Sequence, residues 1–383
     1  MRAATEGDMH DDQSLSPRLF DTLGVHAPVL QSGMGGVAGV ELASAVSNAG
    51  GLGVLAALRL EPDQVRAAIR DIRQHTNRPF GVNIWLHSDV RNPVDPLAVP
   101  DDVVRGAQTV LNEFRPRFDL APTLERPGAG PDLVNAALDV MVEERVPVFC
   151  AAIGVPEAEL VGRFHEVETK VVAMVATVED AVEALENGVD VIVAQGTESG
   201  GHRSYGTKRT RDDAVGSSTL TLLPQVIDAV DEQVPVVAAG GIVDGRGLAA
   251  MLALGADGVL LGTRFVATRE SLASEVWKRR LTTGDRQTTM TDGFTGQWAR
   301  VLTSEFTESW DESGAAALPG LLQAAAGKDL FGAAKKAGDD QLQPLYAGAG
   351  VSAMHDVPGA GQVVERIIAE ARTNLARVSQ ASP

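Results

Sequence analysis

The stretch Ala194-Gln195-Gly196-Thr197-Glu198-Ser199-Gly200-Gly201-His202 is the part of this sequence best equipped to do chemistry. A neutral imidazole takes a proton from a carbon acid, and a protonated one holds an anionic substrate. An unperturbed pKa of about 6.5 suits both tasks. The surrounding glycines let the chain bend closely round a bound molecule. Of the seven histidines, only His202 sits in a glycine-flanked loop directly after an apolar run. His10, His26, His75, His87, His165 and His355 read as surface or packing residues, and Glu198 as a solvated carboxylate.

Glycines also collect after two later apolar runs, in Ala239-Gly240-Gly241-Ile242 and Gly262-Thr263-Arg264-Phe265. Glycine lets a phosphate approach backbone N–H groups, a helix N-terminus adds partial positive charge, and Thr263 offers a hydroxyl. The pair of loops therefore reads as a phosphate grip, without identifying the phosphate's owner. Two weaker features fit a planar ring. One is the turn Gln31-Ser32-Gly33-Met34-Gly35-Gly36, with its soft methionine. The other is Asn83 in Val82-Asn83-Ile84-Trp85, whose amide both donates and accepts.

These residues are useful only if strands bring them to one place. Eight short apolar runs, each followed by an amphipathic helical stretch, cover 29–31, 52–55, 80–84, 147–152, 171–175, 189–194, 235–239 and 258–261. Runs apolar throughout suit parallel strands buried on both faces, and eight βα units favour a closed TIM (β/α)₈ barrel over an open doubly wound sheet. Segments 41–49, 179–187 and 244–254 supply outer helices. The chemistry then gathers at the C-terminal ends of the strands.

Residues 86–146 and 270–345 are too long for simple connections. The second holds Trp277, Trp298 and Trp310, and predicts a mainly helical cap after strand 8. The expected organisation is a disordered 1–14, a barrel over 15–270, a cap over 271–345 and a C-terminal segment, 346–383, returning to the barrel with a helix near 363–378.

With 383 residues, 44% of them hydrophobic, the chain can bury a large core. A net charge of −18 argues against nucleic acid as a partner. No apolar run approaches the roughly 20 residues needed to cross a bilayer, and residues 1–8 lack a signal-peptide pattern, so a cytoplasmic protein is expected. The single cysteine, Cys150, reads as a core strand residue. No His, Cys, Asp and Glu set has metal-ligand spacing, and no Gly-x-Ser-x-Gly elbow supports a serine hydrolase.

Taken in order, Gly33-Met34, Ala45-Val46-Ser47-Asn48-Ala49-Gly50-Gly51-Leu52-Gly53, Gly81-Val82-Asn83, the His202 loop and the two phosphate loops resemble the nitronate monooxygenases and the related flavin-dependent enoyl-ACP reductases. The likeness runs from about residue 15 to 270, with weaker echoes from Phe294-Thr295-Gly296 through Arg300 and from Tyr346 to Val351. It implies FMN, with phosphate on Gly240, Gly241, Gly262 and Thr263, the ring near Met34, Asn83 and Gln195, and Gly33, Met174, Gly200 and Gly201 as further cofactor-site residues. It also makes His202 the catalytic histidine, abstracting the α-proton of a nitroalkane or holding a nitronate. In such enzymes the nitronate passes an electron to flavin, and reaction with O₂ gives a carbonyl compound and nitrite. Ser199 stands where relatives usually carry alanine, and Met174 where many carry a polar residue.

The implied partners are a nitronate or another small electron donor or acceptor, together with O₂; self-association stays open. An NAD(P)H-dependent flavin reductase of an enoyl thioester or quinone shares the same motifs. A flavin-free lyase or epimerase gripping a phosphorylated substrate, and an FMN-binding protein without catalysis, are further alternatives.

Overall fold

The computed structural model describes residues 15–205, 215–284 and 286–380; the expected disorder of 1–14 falls outside them. The eight apolar runs form parallel strands: β1 (Val29–Gln31), β2 (Gly53–Ala56), β3 (Phe80–Trp85), β4 (Val148–Ala152), β5 (Lys170–Val175), β6 (Val191–Gln195), β8 (Val236–Ala239) and β9 (Gly258–Leu261). Their order around the sheet is β1-β9-β8-β6-β5-β4-β3-β2. Inward side chains such as Leu30, Val54, Cys150, Val172, Val193 and Val237 fill the interior, together with Leu19 and Leu23 of the N-terminal helix Pro17–Leu23. The barrel is thus a packed core, as its residue types require.

The ring closes between β1 and β2, where Leu30 bridges Leu52 and a side chain completes the seam. Gln31 Oε1 accepts from Val54 N at 2.9 Å, and Gln31 Nε2 donates to Val54 O at 3.1 Å. Gln31→Leu would leave both buried backbone groups unpaired. The expected loss of stability is about 2 kcal/mol, read as a lower urea midpoint at unchanged slope.

Helices Val40–Asn48, Val178–Glu186 and Gly245–Ala253 lie where outer helices are expected. The C-terminal helix Ala360–Gln380 packs against the first and third of them. No helix among the described residues is long and apolar enough to cross a membrane.

The two long insertions build one lobe. Val104, Leu111 and Phe114 of helix Asp101–Phe114 share a core with Phe306 and Trp310 of helix Glu305–Ser313 and with Leu330 of helix Lys328–Ala337. Arg115, 1% exposed, crosses between the insertions. It donates to Asp329 at 2.9 Å, Ala326 O at 2.9 Å, Gln108 at 2.9 Å and Asn112 at 2.6 Å.

The segment after β9 departs from the mainly helical expectation in one respect. β10 (Thr288–Thr291) and β11 (Ala299–Leu302) form an antiparallel hairpin, and β11 pairs with β7 (Gly201–His202). The glycine-flanked loop of the sequence is therefore partly a strand. It acquires regular structure only because a distant hairpin supplies its hydrogen-bond partners.

Candidate active site

His202 lies opposite Ala299 in the β7–β11 pairing, and Gly201 lies opposite Arg300. Its ring is half-buried between Trp85, with centroids 4.5 Å apart and edge-on, and Tyr346 at 5.1 Å. His202 Nε2 lies 2.9 Å from Thr295 Oγ1. Nδ1 has no hydrogen-bond partner among the described residues and is not sealed from solvent. Burial first, and the Arg59 guanidinium second, push the imidazole pKa down to about 3, so the ring is neutral at physiological pH. Burial pushes the Tyr346 phenol up to about 12, against an opposing pull from Arg59.

Gln195 joins His202 to the barrel mouth. Its Nε2 donates to His202 O at 2.9 Å, while its Oε1 accepts from Ser204 N at 2.8 Å and from Arg203 at 3.1 Å. Ser204 Oγ donates to Met174 O at 2.6 Å and accepts from Ile153 N at 2.8 Å, tying this loop to β4 and β5.

Glu198, expected to be a solvated carboxylate, instead accepts from Thr219 N at 2.8 Å and Thr219 Oγ1 at 2.9 Å. The contact puts negative charge at the start of helix Thr219–Val230, where it is favoured, and fixes the loop.

Beside Gln195 opens a cleft whose empty space, solvent-open mouth included, is about 460 Å³. Its walls include Met174, Gln195, Gly200, Gly240, Gly241, Gly262 and Thr263 from the expected set. Gly33, Met34, Asn83, Gly201 and His202 do not line it. Gly33 presses on Asn83, where an added Cβ would lie 2.3 Å from the Asn83 Cβ. Asn83 spends its amide on Cys150 O at 2.9 Å. Met34 stands over Gly262, its sulfur 3.5 Å from where a Cβ there would lie. Cys150 is buried on β4, its thiol pushed up to about 12 by burial.

The cleft suits an anion. Gly240 has φ +120°, and a Cβ there would fall 2.6 Å from Thr219 Oγ1 and 2.8 Å from Ser199 Oγ. Ser199 Oγ is buried without a hydrogen-bond partner. Thr263 Oγ1 accepts from Gly348 N at 2.9 Å, leaving its own proton to donate. The helix Gly245–Ala253 after β8 adds less than expected, because Asp244 already caps Arg246 N and Gly247 N. The available donors are the loop groups themselves.

Sequence reasoning missed Gly348, Gly350 and Val351, which cover this cleft, and Thr295 and Tyr346 beside His202. The signals were the echoes at Phe294-Thr295-Gly296 and from Tyr346 to Val351, which carry no chemistry until the chain brings them back to the barrel mouth.

Comparison with known proteins follows the same lines. A family model described as nitronate monooxygenase matches residues 16–370. A probable nitronate monooxygenase of Staphylococcus saprophyticus is 33% identical over 302 residues, 78% of this chain and 81% of the relative. One from Staphylococcus aureus is 31% identical over 333 residues, 86% and 90% respectively. Among solved structures, nitroalkane oxidase from Streptomyces ansochromogenes is similar with a TM-score of 0.84 and 36% identity, covering 95% of this chain and all of the other. FabK from Thermotoga maritima follows at 0.72 and 29%, covering 95% and 98%.

Proposed function

Because the chain belongs to the nitronate monooxygenase family, a family of flavin-dependent oxidoreductases, we propose that its flavin is FMN and that His202 is the base acting on its substrate. The phosphate would rest on Gly240, Gly241, Gly262, Thr263 and Ser199, with the ring toward Met174, Gln195 and Gly200. Met34, packed over Gly262, would steady that side of the cleft. Bound there, FMN would supply electron acceptance from the nitronate and delivery to O₂, the products being a carbonyl compound and nitrite.

The observation that carries this reading is a neutral histidine with an open Nδ1 beside Gln195, a residue that also lines the cleft. His202 Nδ1 takes the α-proton of a nitroalkane, the C–H pair moves into the nitro group, and an imidazolium–nitronate pair results. Opposite charges about 4 Å apart attract by roughly 4 kcal/mol at an effective dielectric near 20, which offsets the weak basicity of a buried imidazole.

Aerobic turnover of an alkyl nitronate by the purified yellow protein tests the reading. It requires nitrite and carbonyl compound in equal amounts, and FMN by mass after denaturation. A colourless active protein, or FAD, would refute the cofactor assignment.

A pH dependence follows from the lowered His202 pKa. The base form persists as pH falls through 6.5 and is lost only toward about pH 3. We expect kcat/KM for a neutral nitroalkane to stay level from pH 7 to 5. An inflection near the ordinary histidine value would contradict the buried, neutral imidazole.

A further inference from the structure

We propose that Thr295 is a positioning residue that selects the tautomer of His202, holding the proton on Nε2 and leaving Nδ1 as the base; the inference rests on the role of His202 proposed above. Thr295 is 4% exposed and lies in the turn between β10 and β11. Its hydroxyl has one proton to give. Oγ1 lies 3.3 Å from Gln297 O, in donor geometry, and accepts from Gln297 N at 3.4 Å. With the hydroxyl proton directed to Gln297 O, Oγ1 meets His202 Nε2 at 2.9 Å as an acceptor. Nε2 then carries hydrogen, and the lone pair stays on the open Nδ1.

The turn is held well enough to impose that choice. Gly296 has φ +80°, and a Cβ there would lie 2.0 Å from Leu318 O. Trp310 Nε1 donates to Asp292 at 3.0 Å, Gln323 Nε2 donates to Gly293 O at 2.9 Å, and Gly293 N donates to Thr291 Oγ1 at 3.1 Å. Phe294, beside Thr295, is anchored in the core of the lobe. A ligand histidine's second nitrogen is oriented in this way in metal sites, and a wrong tautomer costs serine proteases about 10⁴ in kcat.

When Nδ1 takes the α-proton, the C–H bond breaks and its electron pair enters the nitro group. The imidazolium keeps its Nε2–H bond to Thr295, so no other proton moves. An already ionised nitronate skips this step, and the two substrate forms therefore separate tautomer control from general support of the fold.

The experiment compares wild type, Thr295→Val, Thr295→Ser and His202→Asn holoenzymes with a neutral nitroalkane and with its nitronate. Thr295→Val is expected to lose about 100-fold in kcat/KM toward the nitroalkane and less than about tenfold toward the nitronate, with Thr295→Ser restoring most of the loss. Nitrogen NMR of the ¹⁵N-histidine-labelled holoenzymes should show His202, assigned through His202→Asn, as the Nε2–H form in wild type and Thr295→Ser, and a mixture or the Nδ1–H form in Thr295→Val. Equal losses with both substrates, or an Nδ1–H wild type, overturn the inference. If Thr295→Val does not fold, Thr295→Ala gives the same comparison. Full nitroalkane turnover by His202→Asn would instead remove the underlying role of His202, whereas loss in His202→Asn with no loss in Thr295→Val removes only that of Thr295.

Discussion

His202→Asn should lower kcat/KM for a neutral nitroalkane by about 10²–10⁴-fold, the usual contribution of a positioned general base. Asparagine offers no basic lone pair to a carbon acid. The loop should nevertheless keep its path, because Gln195 holds the backbone carbonyl of residue 202, and β11 pairs with this strand through the backbone. Flavin content should therefore match wild type, and the loss should be much smaller for a preformed nitronate. Steady-state rates on both substrates, with flavin absorbance per chain, check this. Equal turnover of the nitroalkane would remove His202 from proton transfer.

The second large effect is on the lobe. Arg115→Met keeps most of the side chain's length but removes every hydrogen bond of the guanidinium. Gln108 is 2% exposed, so its Oε1 loses its donor out of water, and Ala326 O loses one as well. Two buried acceptors at roughly 1–3 kcal/mol each, with a charged bond to Asp329 gone, set the loss at about 3–5 kcal/mol. Asp329 is partly exposed and can be rehydrated, which keeps the loss from rising further. Urea unfolding should show this as an early transition of the lobe or a lowered global midpoint. A shift below about 1 kcal/mol would mean that Arg115 contributes little to joining the two insertions. Because the lobe carries Thr295, nitroalkane turnover should fall before the barrel unfolds.

How much of this was legible in the sequence depends on the range of the interactions. The eight strands lie within a residue or two of the apolar runs, because a strand buried on both faces leaves an unbroken apolar signature. The glycines at 240 and 241 were legible because their positive φ disfavours a side chain, and at 240 Thr219 and Ser199 also leave no room for one, whereas Gly262 meets only ordinary contacts. Glu198 was misread. Its partner Thr219 lies 21 residues on, and nothing local distinguishes a latched carboxylate from a solvated one. The β10–β11 hairpin was not read from the sequence, and its pairing with β7 was not visible because a two-residue strand has no period. Thr295 and Tyr346 reach His202 across 93 and 144 positions of chain, beyond any pattern of spacing. Seven of the expected cofactor residues line one cleft; Gly33 and Asn83 instead pack against each other outside its lining.

Nitronate oxidation and NAD(P)H-driven reduction share this barrel and these loops, and the reducing agent separates them. Anaerobic stopped-flow mixing of the holoprotein with an alkyl nitronate, and separately with NADH and NADPH, reads flavin absorbance directly. The account predicts rapid bleaching by the nitronate, none on the same timescale by either nicotinamide, and nitrite release once O₂ is admitted. Bleaching by NADH or NADPH with an unresponsive nitronate would contradict it.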